Sequence, residues 1–488
     1  MNLIERLGNW QRFHKTRSRA LGAAIEALIL EGGLPLGTAL PAERIFAAQL
    51  GVSRTLVISA YATLREAGWL TSRQGSATRI AKLPPGHVAA THKPKTTRNP
   101  MSASITVNDA VIDLSIACAV PDAAWLTLSP ATRGAVLTEH PYQPQGLLAL
   151  RQRIAARLCR QGITSQASQI LVTSGAQQAI ALLAARYASD GRHVLVEQPT
   201  YFGAIDCLRS AGARLVPVNI ARVESAPHNE RTPRAMIEAV AAGGADMAYV
   251  CPTNQNPTGL TWTASERRAL ALAAARSGTL VVIDDSLSEL AFHPVPPSPA
   301  HYCTHAPIVT INGLGKTLWS GLRIGWLRAD DTIVSALTGD RLTHDLGGGT
   351  LGSAIACDLL DHYDKLLNGR CVALQVQRDA CIAALRQYLP QWRFAVPDGG
   401  MFLWVRVPGL DSDAFARHAL TYGVLIAAGS AMTVEGGARE FLRISYAQTG
   451  VVWMHAAQRL KQAWESFGNL TLSAQQSSTN YKSNAETS

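Results

Sequence analysis

Apolar residues recur at a helical spacing in the first part of the chain. They mark one face of a helix within residues 20–30 and predict a second, shorter helix at residues 42–50. Gly51 suits the turn that follows, and Ser53 suits the cap of a third helix. The stripe that this third helix would bury consists of Leu56, Ala60, Tyr61 and Leu64. Two helices joined by a tight turn indicate a helix-turn-helix, and β-branched residues around Gly75 predict a hairpin after it.

Short apolar runs alternate with alanine-rich helical stretches from about residue 110 onwards. A strand at 170–175 is followed by a helix at 176–188, and a strand at 193–197 by a helix at 202–212. Strands that alternate with helices predict an α/β fold with a mostly parallel sheet. Further strands are predicted at 246–250 and 279–285.

Two segments lack such a pattern. Residues 82–110 are rich in Pro, Thr, Ser and Lys, which predicts a flexible linker. Residues 468–488 are polar and of low complexity, which predicts a disordered tail.

The charge is concentrated in the N-terminal part of the chain. Residues 1–80 hold ten Lys or Arg and five Asp or Glu, and residues 81–110 hold four and one, so the first 110 residues carry +8 of the formal +10. A basic module on a nearly neutral body is typical of a protein that binds polyanions. No apolar run reaches the length of a membrane span, no secretory signal is recognisable, and the eight cysteines form no CxxC pair. We therefore expect a cytoplasmic protein without a metal site.

Lys316 raises the question of chemistry. It stands in residues 312–326, NGLGKTLWSGLRIGW, where Arg323 is the only other charged residue. A primary amine in such a setting can form a Schiff base with an aldehyde cofactor, although the tripeptide alone fits a surface lysine in a glycine-rich turn equally well.

Polar residues at predicted strand ends favour the first interpretation. Residues 173–180, TSGAQQAI, end a strand and open a helix whose N–H groups can hold a phosphate. Asn256 follows another strand, and Asp284 ends a buried one, where a carboxylate needs a cation such as a protonated pyridine nitrogen. Tyr201, in a loop after a proline, can stack on a flat ring or belong to the core.

The segments LPAER, LGVSRT, AYATLREAGWL and RQGSAT resemble the GntR-type winged helix. The resemblance implies a mainly α, winged helix-turn-helix DNA-binding domain over residues 10–81, with Ala77 where a glycine is common. Arginine suits DNA because its planar fork reaches phosphates and guanine edges. The residues implied at the DNA are Arg44, Ser53, Arg54, Thr55, Gln74 and Gly75.

Residues 111–467 resemble the aspartate aminotransferase-like fold, fold type I of the pyridoxal phosphate enzymes. The motifs that carry this resemblance are NPTG, GKTLWSGLRIGW, DGGMFLW, LRISYA and YQPQGLLALRQRIA. The resemblance implies an α/β domain with a small C-terminal α+β subdomain that binds pyridoxal 5'-phosphate, with the internal aldimine at Lys316.

The other roles follow from the same resemblance. Asn256 would bond the ring hydroxyl, Asp284 the ring nitrogen, and Tyr201 would stack on the ring. Arg443 would bind a substrate carboxylate. The phosphate ligands would be Ser174, Gly175, Ala176, Arg323 and, across a homodimer interface, Tyr142 of the neighbouring subunit.

The sequence departs from this family at three positions. Ser286 replaces the usual tyrosine after the aspartate pair, and Gly313 and Gly315 replace hydroxyl residues that usually bond the phosphate. Two missing donors, each worth roughly 1 kcal/mol or more to a charged group, predict weaker cofactor affinity.

A GntR-type winged helix joined to this fold is the architecture of MocR-type regulators. The resemblance implies a transcriptional regulator that binds double-stranded DNA and senses pyridoxal phosphate or an amino acid. The alternative is an aminotransferase, slow if active, with an attached DNA-binding module. The missing tyrosine favours the regulator.

Overall fold

The chain forms two compact units, Met1–Thr96 and Thr97–Ser488. The computed structural model describes residues 3–8, 10–13, 16–30, 34, 38–66, 69–71, 78–80, 99–105, 110–119, 128–138, 140, 142–220 and 233–485.

The N-terminal unit contains helices and a two-stranded antiparallel hairpin, as the apolar spacing predicts. Its helices are α1 (Leu3–Leu7), α2 (Arg17–Leu30), α3 (Glu43–Leu50) and α4 (Arg54–Glu66), and its strands are β1 (Leu70–Thr71) and β2 (Arg79–Ile80). Leu70 pairs with Ile80 and Thr71 with Arg79. The predicted hairpin after the third helix is confirmed by this pairing.

The turn between α3 and α4 is fixed by local chemistry. Gly51 has φ +64°, in the left-handed region that favours glycine, and closes α3. The Ser53 hydroxyl accepts a hydrogen bond from the Leu56 N–H at 3.3 Å, as a cap should. The buried stripe differs slightly from the prediction, because Leu56 is half-buried. The residues that α4 buries are Val57, Ala60, Tyr61 and Leu64.

The larger unit alternates strands with helices. Its helices are α5 (Pro100–Ser104), α6 (Pro130–Thr138), α7 (Leu148–Arg160), α8 (Ala176–Tyr187), α9 (Phe202–Ser210), α10 (Arg234–Ala242), α11 (Ala264–Ser277), α12 (Leu314–Thr317), α13 (Asp331–His344), α14 (Thr350–Asp361), α15 (Tyr363–Tyr388), α16 (Ser412–Thr421) and α17 (Gly450–Ala485). Its strands are β3 (Ile112–Asp113), β4 (Ile170–Thr173), β5 (His193–Gln198), β6 (Arg214–Asn219), β7 (Met247–Val250), β8 (Leu280–Asp284), β9 (Ile308–Gly313), β10 (Gly325–Arg328), β11 (Arg393–Phe394), β12 (Phe402–Arg406), β13 (Val424–Leu425), β14 (Ala427–Ala428) and β15 (Phe441–Ser445).

The main sheet has seven strands in the order β4-β10-β9-β8-β7-β5-β6. All neighbouring pairs are parallel except those of β10, which runs antiparallel to β4 and β9. Its central strands are buried along their whole length, as expected of a parallel sheet covered on both faces. The mostly parallel α/β fold is therefore confirmed.

A smaller antiparallel sheet, in the order β11-β12-β15-β14, forms the α+β part towards the C terminus. A separate hydrophobic cluster supports it, to which β12, α15, α16 and α17 contribute. Strand β3 pairs in parallel with β13 and so joins the start of the unit to this part.

Two segments predicted to lack structure contain helices. Helix α5 lies within residues 82–110, where Asn99 caps it by accepting from the Met101 N–H and Pro100 occupies its first turn. Residues 81–98 and 106–109 lie outside the described residues. Helix α17 continues to Ala485, across most of the expected tail. A helix that is already nucleated by packed residues extends at lower cost than a new one, so polar composition alone does not end it.

Among the described residues, no single helix is long and apolar enough to cross a membrane. Taken together, α3 and α4 reach the length and apolar composition of a membrane span, but the two helices meet at a bend of 119°.

Candidate functional site

A cavity of about 450 Å³ lies at the carboxyl ends of the central strands. Open α/β sheets place their ligands at this edge. The cavity brings together eight of the residues proposed from sequence for the cofactor and substrate, although they are far apart in the chain. These are Gly175, Ala176, Tyr201, Asn256, Asp284, Lys316, Arg323 and Arg443.

Lys316 lies on α12, which starts directly after β9. Its Nζ donates a hydrogen bond to the Ala117 carbonyl oxygen at 2.7 Å. Burial lowers the pKa of Lys316 below its ordinary value, and the positive charges of Arg443 and Arg323 act in the same direction. A lowered pKa raises the fraction of neutral amine, which is the nucleophilic form.

The turn between β4 and α8 carries the candidate phosphate seat. Gly175 has φ +117°, and a Cβ at this position would lie 3.4 Å from Arg323 Nη2. The first N–H groups of α8 have no partner within their own helix, so an anion is favoured there. Ser174 does not line the cavity, and its N–H donates to Gln178 Oε1 at 2.7 Å. Any contact of Ser174 with a phosphate therefore falls to its hydroxyl.

Asp284, the last residue of β8, is held from the neighbouring strand. The Tyr249 hydroxyl on β7 donates to Asp284 Oδ2 at 2.5 Å. Burial raises the pKa of the Tyr249 phenol well above its ordinary value, and the charge of Asp284 adds to this, so the phenol keeps its proton. Asp284 Oδ1 accepts from the Ser286 N–H at 3.0 Å.

Arg443 on β15 is a buried cation, 1% exposed, in none of the ion pairs of the described residues. Its Nη1 donates to Asn256 Oδ1 at 3.1 Å and its Nη2 to the Ser115 carbonyl oxygen, while its buried Nε has no partner. Burial lowers its pKa to about 10. A buried guanidinium with a free donor that lines a cavity favours an anion there.

Tyr201 occupies the N-cap position of α9 beside the cavity, without a side-chain capping hydrogen bond. Its hydroxyl donates to Gln177 Oε1 at 2.9 Å, so the phenol is anchored to α8. Its ring lies 4.8 Å from that of Phe202 at a tilt of 55°. Tyr201 is half-buried at the cavity wall, a position that suits both stacking on a flat ring and packing as part of the core.

The three departures from the family pattern have different surroundings. Ser286 Oγ is buried, lines the cavity and has no hydrogen-bond partner. A Cβ at Gly313 would lie 2.9 Å from Gly325 Cα and Ile324 O, so the approach of β10 requires a glycine there. A Cβ at Gly315 would meet its nearest atom, Ser320 Cα, at 3.8 Å, so packing does not explain that glycine.

The candidate DNA-binding residues of α3 and α4 lie on the surface of the N-terminal unit. Arg44, Ser53, Arg54 and Thr55 are exposed. Gln74, Gly75 and Ala77 lie outside the described residues. In the larger unit Tyr142 is 60% exposed and does not line the cavity, so the expected contact with a neighbouring subunit stays a prediction.

Several residues of this region were not predicted from the sequence. Ile116, Cys118 and Met101 line the cavity from segments that precede the main sheet. Glu197 is buried on β5 and accepts from the Cys251 N–H at 3.0 Å, and burial raises its pKa to about 8. Glu197, like Tyr249, is a polar side chain inside an apolar strand, and this is the sequence signal that could have identified it.

Comparisons with known proteins match both units. Residues 121–460 match the family described as aminotransferase class I and II, and residues 17–80 match bacterial regulatory proteins of the gntR family. These matches confirm a GntR-type module joined to an aminotransferase-like domain.

Curated relatives include regulators and enzymes. The uncharacterized HTH-type transcriptional regulator YdfD of Bacillus subtilis is 26% identical over 448 residues, 87% of this chain and 91% of that protein. The probable rhizopine catabolism regulatory protein MocR of Rhizobium meliloti is 28% identical, over 83% of this chain and 85% of that protein. The 2-aminoadipate transaminase of Thermus thermophilus is 29% identical, over 63% of this chain and 76% of that enzyme.

Solved structures show the same fold. LysN, the alpha-aminoadipate aminotransferase of Thermus thermophilus, solved with N-(5'-phosphopyridoxyl)-L-leucine, superimposes with a TM-score of 0.66 at 24% identity, over 76% of this chain and 96% of that chain. The multiple substrate aminotransferase of Thermococcus profundus gives 0.67 at 23%, over 78% and 96%. The chain belongs to the aminotransferase class I and II family, with a GntR-type DNA-binding domain in front of its aminotransferase domain.

Proposed function

We propose that the chain is a DNA-binding transcriptional regulator whose aminotransferase-like domain holds pyridoxal 5'-phosphate and senses the cofactor or an amino compound. The observation that carries the proposal is the convergence of Lys316, Asp284, Arg323 and Arg443 on one cavity, in a chain that also has a GntR-type module. Regulators of the same two-part organisation, such as MocR, align over most of their length. A cytoplasmic location follows from this role.

The residues of the cavity fit the cofactor. Gly175 and Arg323 line the cavity at the start of α8, where a Cβ at Gly175 would lie 3.4 Å from Arg323 Nη2, and the helix N–H groups and the guanidinium both favour a phosphate. Asp284 would supply a carboxylate for a protonated ring nitrogen, and Asn256, whose Oδ1 accepts from Arg443, would offer its amide N–H to the ring hydroxyl. The cofactor supplies an aldehyde that condenses with a primary amine and releases water. Lys316 presents that amine with a lowered pKa.

The cofactor proposal is tested on purified protein. Added pyridoxal phosphate should give a yellow, borohydride-reducible adduct, and Lys316→Ala should abolish it. Lys461→Ala, at a half-exposed lysine paired with Glu465 on α17, is the matched control and should keep it. An undiminished adduct in Lys316→Ala would place the link on another amine.

The regulatory proposal is tested on DNA. A footprint on the DNA upstream of the protein's own gene should appear, and its strength should change when pyridoxal phosphate is added. Protection that is identical with and without cofactor would leave a DNA-binding protein but remove the sensing role.

A second function merits a test because the candidate Schiff-base lysine and carboxylate-binding arginine line one cavity. The transaminase of Thermus thermophilus aligns over 63% of this chain, and Lys316, Asp284 and Arg443 all line the cavity. This alternative is an aminotransferase that carries a regulatory module. Steady turnover with common amino acids and 2-oxo acids would favour it, whereas binding without turnover favours the regulator.

A further inference from the structure

The charges of the cavity determine which amino compound it can take. The charged lining residues in the described part of the chain are Asp284, Lys316, Arg323 and Arg443. Under the proposed function, on which this inference rests, each has a partner: the ring nitrogen, the aldehyde, the phosphate and the α-carboxylate. Among the described residues, this subunit leaves no lining charge for a second charged group on the ligand.

The polar side chains of the lining are also largely engaged. Asn99 donates to Asp206 Oδ2 at 2.8 Å and accepts from the Met101 N–H at 2.9 Å. Gln177 accepts from Tyr201 and donates to the Gly203 carbonyl at 3.0 Å. Ser320 donates to the Gly315 carbonyl at 2.7 Å and accepts from the Ala119 N–H at 3.0 Å. Ser286 Oγ and Asn254 Oδ1 have no partner, so a charged ligand group that reaches neither atom would have to displace one of these bonds to be solvated.

The surroundings of the carboxylate site are apolar. The Arg443 guanidinium carbon lies 4.2 Å from the centre of the Phe402 ring and 5.1 Å from that of Phe202, and both rings line the cavity. A ligand whose carboxylate binds Arg443 therefore meets aromatic surface beside the guanidinium.

Ile116 stands between the two anchoring groups. The residue before it, Ser115, accepts a hydrogen bond from Arg443, and the residue after it, Ala117, accepts one from Lys316. An amino acid that spans Lys316 and Arg443 with its amine and carboxylate must pass Ile116, whose half-buried side chain lines the cavity. Met101, 40% exposed, lines the same cavity from α5.

We propose that the site selects α-amino acids with uncharged, apolar side chains, and that Ile116 determines this selection. A methyl or thioether group gains contact with Ile116, Phe202 and Phe402, whereas a second carboxylate or an ammonium loses its hydration without an oppositely charged partner. Selection therefore comes from the cost of burying an unpaired charge.

The test uses the full-length protein loaded with pyridoxal phosphate. L-Leucine, L-methionine, L-phenylalanine, L-glutamate and L-lysine are titrated by calorimetry and by the absorbance of the bound cofactor. The three apolar ligands should bind at least about tenfold more tightly than the two charged ones, which corresponds to about 1.4 kcal/mol. Arg443→Ala should weaken all five.

Variants at the lining sharpen the test. Ile116→Arg should weaken leucine and strengthen glutamate, reversing their order, whereas Ile116→Val should keep the wild-type order. If Ile116→Arg fails to fold, Met101→Arg serves instead, because Met101 is more exposed. It should reduce the difference in affinity between leucine and glutamate, whereas the control Met101→Leu should keep that difference.

The possible failures are distinct. No cofactor absorbance in the wild type would remove the proposed function itself. A loaded protein that binds glutamate or lysine as tightly as leucine, or that binds no amino acid, would overturn the inference while leaving cofactor binding intact. An unchanged order in Ile116→Arg would remove Ile116 as the determinant.

Discussion

At the scale of single residues, the contact between Tyr249 and Asp284 joins two neighbouring strands and aims a carboxylate at the cavity. Both side chains are buried, so loss of the phenol leaves Asp284 Oδ2 without this donor. A hydrogen bond to a charged group is worth about 1.5–3 kcal/mol.

Tyr249→Phe should therefore lower the free energy of unfolding by about 1.5–3 kcal/mol and weaken pyridoxal phosphate, because Asp284 loses the donor that orients it. Urea unfolding followed by circular dichroism and a cofactor titration would measure the two effects. Tyr446→Phe is the control, because its phenol donates to the neutral Gly399 carbonyl at 2.8 Å. Its loss should be smaller and should spare cofactor affinity. Equal cofactor affinity in wild type and Tyr249→Phe would contradict the orienting role.

Glu197 gives a prediction about pH. Burial raises its pKa from 4.5 to about 8, so between these values it is protonated when folded and ionised when unfolded. Unfolding then releases a proton, and rising pH favours the unfolded chain. The stability of the wild type relative to Glu197→Gln should fall between about pH 4.5 and 8, with a slope of at most about 1.4 kcal/mol per pH unit. Urea midpoints for both proteins across this range would measure it, and parallel curves would refute the raised pKa.

The sequence shows some of these residues and hides others for a physical reason. Lys316, Asn256 and Asp284 stand at strand ends or in glycine-rich turns, where a polar residue interrupts an apolar run and is visible locally. Tyr249 and Glu197 lie within strands, and their importance depends on which strand is the neighbour. Strand order is not encoded in any single segment, so these residues required the structure.

At the scale of elements, the junction of β9 and β10 offers a matched pair of substitutions. Gly313→Ala should destabilise the larger unit by about 1–3 kcal/mol, because its methyl group would press on the backbone of β10. Gly315→Ala, one residue before Lys316, meets only ordinary contact distances and should change stability little. The denaturant midpoints of the two variants would measure this difference in stability. Similar midpoints would mean that β10 can retreat without cost.

Helix α4 carries the prediction about DNA. Arg54, at its first turn, should read bases, so Arg54→Ala should cost about 1–3 kcal/mol and relax specificity, whereas Arg44→Ala should lower the salt slope by about 1. Arg276→Ala, an exposed arginine in the larger unit, is the control and should bind normally. Binding isotherms at several salt concentrations would measure these effects. Unchanged affinity and specificity in Arg54→Ala would refute the docking of α4.

The apolar pattern predicted the bounds of helices and strands where packing determines them. It did not predict them where other interactions do. Helix α4 and the strands of the main sheet were predictable because one face or the whole segment is buried. Helix α5 rests on a cap, Asn99, in a segment whose composition suggests a linker. The end of α17 continues a packed helix through polar residues, which composition reads as disorder.

At the scale of the whole molecule, we expect a homodimer formed through residues 111–467. Tyr142 is exposed on the single subunit, as a residue that serves a neighbouring site would be. A twofold protein should protect two half-sites on DNA. Sedimentation and footprinting would measure both. A stable monomer with full cofactor affinity would contradict the dimer. Tyr142→Phe is the finer test, because it should weaken cofactor binding only in the assembled protein.

The division into two units was predictable because each has its own motifs and charge. The basic composition of the first 110 residues and the motif order of residues 111–467 point to different tasks without reference to structure. How the occupied cavity acts on the DNA-binding module depends on the arrangement of the two units, which no motif encodes.

The hydrogen bonds of Arg443 and Lys316 to the carbonyls of Ser115 and Ala117 turn a short stretch of backbone into a pair of built-in vibrational probes. A carbonyl that accepts a strong hydrogen bond stretches at a lower frequency than one released from it. Carbon-13 placed at either position would separate its infrared band from the rest of the chain. A cofactor that takes up the amine would shift the Ala117 band, and an amino acid whose carboxylate takes up the guanidinium would shift the Ser115 band, so one spectrum would report which of the two has bound.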